Sequence, residues 1–299
     1  MNGVNAEMTS LPVRPLGRTG MNLPVLGLGT APAGHRLQQD AVPFFRQCFD
    51  AGITHVDTGP QTGGYGHAQI YLGQVLQERR DDLFIATRCD VPDGEQALRQ
   101  LKDNLATLGI ERADLVYAQS ISADVMAPEK IYAPGGICKA LEKARADGLT
   151  RFLGVTGHHR PSRFLRAIEE WDFDVMMNPV NIVSRHLYDF ERRVWPAARA
   201  RGIALLGMKV FGGVRNSAES PKGALVNDEL KPIALRYALD LPGITGVVIG
   251  MYDGDELRQL LNWVQNLAPL SPEESTALEP RTRELAKSTE WQDVYGPVD

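Results

Sequence analysis

The stretch Gly52–Gly73, GITHVDTGPQTGGYGHAQIYLG, joins a short apolar run ending in Asp57 to a loop of Thr, Gly, Pro and Gln and then to a helical segment. An apolar run of this length bounded by turn residues reads as a buried strand that delivers a carboxylate at its C-terminal tip. Tyr65 follows in the loop, and Ala68 to Glu78 has helical spacing. Outward from this stretch, strand and helix alternate. Strands are expected at Val25–Gly29, His55–Asp57, Phe84–Arg88, Leu115–Gln119, Phe152–Thr156, Val175–Asn178, Ile203–Lys209 and Gly246–Gly250. Amphipathic segments lie between them at Val42–Ala51, Ala68–Glu78, Glu95–Leu108, Gly136–Asp147, Pro161–Trp171, Glu191–Arg201, Leu230–Leu239 and Asp255–Leu267. The strands are apolar nearly throughout, as strands covered on both faces must be, and several helices end near a glycine (Gly109, Gly148, Gly202). Eight such units imply an α/β fold whose parallel sheet closes into a (β/α)8 TIM barrel. An open doubly wound sheet is the alternative, but it would usually carry GxGxxG after the first strand, and none is present. Residues Pro12–Pro24, turning at Gly17 to Gly20, predict an N-terminal β-hairpin. A single domain is expected: hairpin about 12–24, barrel about 25–267, and a C-terminal helix (Pro272–Lys287) with a tail carrying Trp291 and Tyr295 across the barrel, 268–299.

The composition narrows the partners. With 43% hydrophobic and 23% charged residues, the chain is that of an ordinary globular protein. Its net charge of -5, from 32 basic and 37 acidic residues, gives no basic face for nucleic acid or an anionic membrane, so a small-molecule partner is expected. Cys48, Cys89 and Cys138 are odd in number and widely spaced, which suggests neither a disulfide framework nor a metal site. MNGVNAEMTS has no basic or apolar leader pattern and no stretch is long enough to span a bilayer, so a cytoplasmic location is expected. The oligomeric state stays open.

In a barrel of this kind the chemistry belongs at the C-terminal strand ends. The predicted tips are polar: Asp57, Arg88, Gln119, Thr156 with His158, and Lys209. Alternation places Phe84, Ala86 and Arg88 on one face of their strand, and Leu115, Tyr117 and Gln119 on one face of theirs. Polar groups that continue an inward apolar row are costly unless they bond one another or a ligand, so five around one mouth point to a site.

Several motifs, in order, resemble the aldo-keto reductase superfamily over almost the whole chain: LGRTGMNLPVLGLGT, HVDT with YGHAQIYLG, DLFIAT, LGIERADLVYAQ, ALEKARADGLTRFLGVTGH and VVIGMYDGDELRQLL. The resemblance implies a barrel that binds NAD(P)H without a Rossmann domain and reduces carbonyls by hydride transfer, using an Asp, a Tyr, a Lys and a His. Those positions fall on Asp57, Tyr65, Arg88 and Gln119. The chain thus departs at two of four, and the inserted Gln61–Gly64 segment lengthens the Asp–Tyr spacing. Arg88 keeps the positive charge next to the phenol but cannot titrate as a lysine does, and its fork needs two acceptors, for which Asp57 and Tyr65 are the candidates. Gln119 can orient a substrate oxygen but cannot carry a proton. His158 is the nearest replacement acid–base group, and with Tyr117 a candidate for substrate contact. His159 and His67 are weaker candidates, and His35, His55 and His186 read as structural.

The cofactor positions implied by the resemblance fall on Thr156, Gly157 and Met177, with Asn178 beside them, then on Met208 and Lys209 and on the Gly-rich loop after them, with Phe211, Gly212 and Arg215. At the last strand tip, GMYDGDE offers Gly250, Met251, Asp253 and Glu256, the two acids reading as a capping box. Acids there disfavour a 2′-phosphate and lean toward NAD, while Arg258 leaves NADP open. No metal is expected. The leading reading is an NAD(P)-dependent oxidoreductase acting on a small carbonyl or alcohol, a sugar or lactol among them, with Tyr65 as general acid. The alternative is a lyase, dehydratase or epimerase on the same scaffold, with Lys209 as a Schiff-base former; a cofactor-binding regulatory protein is the third. The loops Ser120–Pro134 and Lys209–Val226 are expected to set specificity.

Overall fold

A computed structural model describes residues 11–213, 225–292 and 294–299. Two short strands, β1 (Val13–Pro15) and β2 (Asn22–Pro24), pair antiparallel as a hairpin. The eight that follow, β3 (Leu26–Gly29), β4 (His55–Asp57), β5 (Phe84–Cys89), β6 (Ala113–Ala118), β7 (Thr150–Thr156), β8 (Val175–Pro179), β9 (Ala204–Met208) and β10 (Ile244–Gly250), form a closed parallel barrel in chain order, β10 pairing back onto β3. Around it lie α1 (Ala31–Gly34), α2 (Gln38–Asp50), α3 (Ala68–Arg79), α4 (Gly94–Leu108), α5 (Pro128–Ile131), α6 (Ile137–Ala146) and α7 (Pro161–Glu170). The ring continues with α8 (Phe190–Arg193), α9 (Trp195–Ala200), α10 (Lys231–Asp240), α11 (Gly254–Gln265), α12 (Pro272–Leu285) and α13 (Thr289–Gln292). No helix of the described residues is long and apolar enough to cross a membrane.

The two-residue period of the strands divides the core in two. Phe84, Ala86, Leu115, Tyr117, Val175, Met177, Ala204, Leu206 and Val248 fill the barrel, while the residues between them, such as Ile85, Val116, Met176 and Leu205, pack under the helices. Leu16 and Leu23 of the hairpin segment join the inner cluster and close the end of the barrel opposite the strand tips. That plug is fitted closely: Gly17, at φ 50°, lies where a Cβ would meet the Gly202 carbonyl oxygen at 2.5 Å.

Three expectations about elements change. The helix expected over Glu191–Arg201 is two short ones, because Pro196 has no amide to donate and its ring clashes with the carbonyl one turn earlier. Helix α2 starts four residues before Val42 and carries Pro43 inside it on an exposed position. Strand β6 stops at Ala118, so Gln119 lies just past the tip, its amide donating to the Cys89 carbonyl (2.8 Å).

Candidate active site

Strand β4 ends on Asp57 and β5 carries Arg88 on the neighbouring inward position, both nearly sealed from solvent. The Arg88 guanidinium donates through Nη2 to Asp57 Oδ1 and through Nε to the Thr58 carbonyl (3.2 Å). Tyr65 donates its hydroxyl to the same Asp57 oxygen (3.2 Å), and its ring lies with its centroid 4.9 Å from the guanidinium carbon. The fork of Arg88 therefore takes a backbone carbonyl, not the tyrosine oxygen, as its second acceptor. The phenol stacks on the cation instead. Gly59 makes this stack possible, since a Cβ there would come within 2.8 Å of the Tyr65 ring and 2.9 Å of Arg88 Cδ.

The position of Tyr65 is set by α1, and the inserted turn is accommodated ahead of it. Gln61–Gly63 form a single 3-10 turn closed by Gly64 at φ 84°. The next residues dock on Gly34, where a Cβ would sit 2.0 Å from the Tyr65 carbonyl oxygen, and the His67 amide donates to the Gly34 carbonyl (2.9 Å). The extra residues are absorbed in the turn, and the phenol still reaches Asp57.

Burial pushes the Tyr65 phenol above its usual range; the Arg88 charge pulls it down and the Asp57 carboxylate pushes it further up. Burial also raises the Asp57 carboxyl, against the pull of Arg88 and the Tyr65 hydroxyl. Arg88 stays a cation, the attraction of Asp57 and the two phenols outweighing its burial. Tyr117 lies beneath, fully buried, its ring centroid 5.7 Å from the Arg88 guanidinium carbon and its hydroxyl without a hydrogen-bond partner. It belongs to the barrel interior and stays off the cavity wall. Gln119 stands apart from the Asp57–Tyr65–Arg88 bonds: its Oε1 is buried without a partner, under Gly63 of the inserted turn. His158 stacks on Tyr295 of the tail, ring centroids 5.9 Å apart, and is pushed down to about 3, first by burial and then by the charges of Lys209 and Arg88. It is therefore neutral near pH 7 and does not act there as a charged acid.

Over this group opens a cavity with about 1170 Å³ of space between atoms, part of it open to solvent. It runs from Asp57, Tyr65 and Arg88, over Met177, Met208 and the backbone of Gly29 and Gly250, past Lys209 and Phe211, to Lys231 and the α11 face Glu256, Gln259, Leu260 and Trp263. Phe211 and Trp263 meet edge to face there, 6.2 Å between centroids. Of this wall, Lys209, Phe211 and Glu256 were expected, while Lys231, Gln259, Leu260 and Trp263 were not. The i, i+3, i+4, i+7 spacing from Glu256 to Gln259, Leu260 and Trp263 is the signal that could have found the last three.

Several expected cofactor contacts lie elsewhere. Asn178 is one residue out of phase with Met177, so its side chain points away from the barrel interior, accepting from Trp195 Nε1 (3.0 Å) and donating to the Pro179 carbonyl (3.1 Å). Met251 follows the end of β10 and is buried in the outer core. Asp253 caps α11, accepting from the amides of Asp255 and Glu256 (both 3.0 Å). The capping box is displaced by one residue, because Glu256 accepts from the Tyr252 amide (2.7 Å), not from Asp253. Thr156 is at the inner tip of β7, where its hydroxyl accepts from the Ser120 amide (3.4 Å), off the cavity wall. Gly212 sits at φ 91° against the Trp291 ring, holding the loop to the tail. Arg215 lies outside the described residues.

The cavity suits a dinucleotide. Its inner end offers an apolar floor with two glycines, next to a hydrogen-bonded phenol. Its outer end offers two aromatic rings, and cations lie along its length. A profile of the aldo/keto reductase family matches residues 25–228. The chain is 25% identical to an L-galactose dehydrogenase of Arabidopsis thaliana, over 91% of its own length and 94% of that protein's. It is also 25% identical to a pyridoxal 4-dehydrogenase of Microbacterium luteolum, over 86% and 94%. In fold it is similar to an aldo-keto reductase of Bacillus halodurans in its holo form, with a TM-score of 0.74 at 18% identity, over 94% of this chain and 99% of that one. The family match spans more than half of a chain that folds as a closed barrel with polar strand tips, and the protein therefore belongs to the aldo/keto reductase family of NAD(P)-dependent oxidoreductases.

Proposed function

We propose that the protein transfers hydride between a nicotinamide and a small polar carbonyl or its alcohol or lactol, with Tyr65 as the proton donor. The observation that carries this reading is the Tyr65 hydroxyl bonded to the buried Asp57 carboxylate (3.2 Å), with the Arg88 cation on the face of the phenol ring, all on the wall of one cavity. Gly29, Met177, Met208 and Gly250 would hold the nicotinamide end, and Phe211 and Trp263 the adenine end. When bound, the cofactor supplies or accepts hydride. The chain's own part is the proton. Burial keeps Tyr65 protonated, so its hydroxyl is a donor for a substrate oxygen, and the fixed charge of Arg88 stabilises the phenolate left behind. Arg88 serves only as that fixed charge, being unable to give up a proton. The polar substrate class is supported by the two relatives named for an L-galactose and a pyridoxal dehydrogenase.

NAD is the preferred cofactor in this reading. Glu256 puts a carboxylate on the outer end of the cavity, Arg258 is engaged by Asp255, and Lys231 by Asp228 (2.6 Å). Titration with NADH and NADPH, read by quenching of the four tryptophans, Trp263 on the cavity wall among them, is expected to show NADH binding at least about ten-fold tighter, a difference of roughly 1.4 kcal/mol. Equal or reversed affinities would remove the NAD assignment. Tyr65→Phe is expected to lower kcat about 100-fold or more with cofactor binding kept. Unchanged turnover in that variant would take Tyr65 out of the mechanism.

A further inference from the structure

Among the described residues, Lys209 is the one cation on the cavity wall without a counterion. Of the ionisable groups lining the cavity, Arg88 is paired with Asp57, Lys231 with Asp228, and Glu256 takes the Tyr252 amide. No carboxylate among the described residues pairs with Lys209; the charge it feels most is that of Arg88, which like burial disfavours its own. The side chain is nonetheless held in place. Its stem runs along Gly213, where a Cβ would lie 2.7 Å from Lys209 Cδ and 3.4 Å from Nζ. Its backbone is kept at φ 58°, a conformation unfavourable for any residue but glycine, with the carbonyl accepting from Asn181 Nδ2 (3.0 Å) and from the Gly212 amide (2.8 Å). A strained backbone that aims an unpaired, largely buried cation into a reactive cavity needs an anion to make it favourable.

We propose that Lys209 is the receptor for a carboxylate carried by the substrate, so that the enzyme acts on small oxo acids or sugar acids, or on the corresponding hydroxy acids. The proposal rests on the oxidoreductase reading above and adds to it the charge of the substrate. The carboxylate is placed on the substrate because Lys209 directly follows Met208 at the tip of β9, on the same cavity wall as Asp57, Tyr65 and Arg88. The other lysine on the wall, Lys231, starts α10 and is paired with Asp228.

The test compares probe pairs that differ in one carboxylate, galacturonate against galactose and succinic semialdehyde against butanal, in the full-length enzyme with NADH. The wild type is expected to show a KM about 10- to 100-fold lower for the acid of each pair, as a charge-assisted hydrogen bond gives. Lys209→Met should abolish the difference, and Lys209→Arg should retain much of it. Lys209→Gly, whose backbone accepts the positive φ, should behave as Lys209→Met and so exclude misfolding as the cause. A pH signature belongs to the same site: the wild-type KM for the acids should rise as pH passes the lowered amine pKa, while that of Lys209→Arg stays flat. Succinate binding, followed by tryptophan fluorescence without turnover, should weaken by the same factor in Lys209→Met. This last readout stands even if no carbonyl is reduced, so loss of the anion site and loss of the oxidoreductase reading can be told apart. Three results would overturn the proposal: no preference for the acids in the wild type, a Lys209→Met variant that loses NADH affinity but keeps the preference, or borohydride trapping of the aldehyde on Lys209 as a Schiff base.

Discussion

Arg88 stands where the family resemblance places a lysine, and the consequences are confined to a few atoms. A lysine would offer a point charge whose pKa shifts on burial; the guanidinium keeps its charge, bonds Asp57 and the Thr58 carbonyl, and lays its plane on the Tyr65 ring. The pair with Asp57 is almost wholly buried, so removing one partner leaves the other charge uncompensated. Asp57→Asn is therefore expected to cost about 3–5 kcal/mol in urea unfolding, far more than an exposed ion pair. A loss under about 1 kcal/mol would show that Arg88 finds another counterion. Of this group, Asp57 and Arg88 were legible as polar tips of apolar strands, because the two-residue period assigns them to the barrel interior. Their bond to each other was expected from the sequence, but the second acceptor of Arg88 and the room for the Tyr65 stack were not legible, since Thr58 offers only its backbone and Gly59 only its missing side chain.

Among the elements, the segment over residues 190–200 shows how a local rule interacts with packing. Its amphipathic pattern predicts one helix, and Pro196 makes it two. The short α8 is fastened to α10 by Glu191, which accepts the Tyr237 hydroxyl (3.1 Å) and whose carboxyl burial pushes up to about 7. A carboxyl raised in the folded state favours folding while it is protonated. That contribution is complete below the unfolded value of 4.5 and is lost as pH rises through about 7. It amounts to on the order of 2–3 kcal/mol. Glu191→Gln should match the wild type near pH 4.5 and be more stable than it at pH 8, as urea midpoints at the two pH values would show. A variant that is less stable than the wild type at pH 8 would mean that the charged carboxylate is the form the fold holds.

For the whole molecule, the barrel depends on being closed at the end away from the chemistry. Gly17→Ala would push a methyl group against the Gly202 carbonyl at a residue held at φ 50°, and is expected to destabilise the protein by about 2 kcal/mol or more. NADH affinity of the folded protein should not change, since the hairpin and the cavity lie at opposite ends; a change in affinity would show that the plug and the mouth are coupled. The sequence by itself determined the eight strand–helix units, the hairpin, the inward rows and the polar ring of Asp57, Arg88 and Lys209. Each of these follows from periodicity and turn chemistry that act over a few residues. Only the tertiary structure decided which neighbours those groups meet. Asn178, one residue from Met177, turns to the helices because a strand's faces alternate, and Met251 leaves the wall as the chain turns off β10. His158 is held neutral first by its burial and then by Lys209 and Arg88, cations from distant parts of the chain. Trp263 and Lys231 line the cavity from α11 and α10, elements far along the chain from Asp57 and Tyr65. Lys209 was visible as a lone lysine at a strand end, but that it lacks a counterion among the described residues depends on the acids lining the cavity being engaged elsewhere, and no local pattern carries that information.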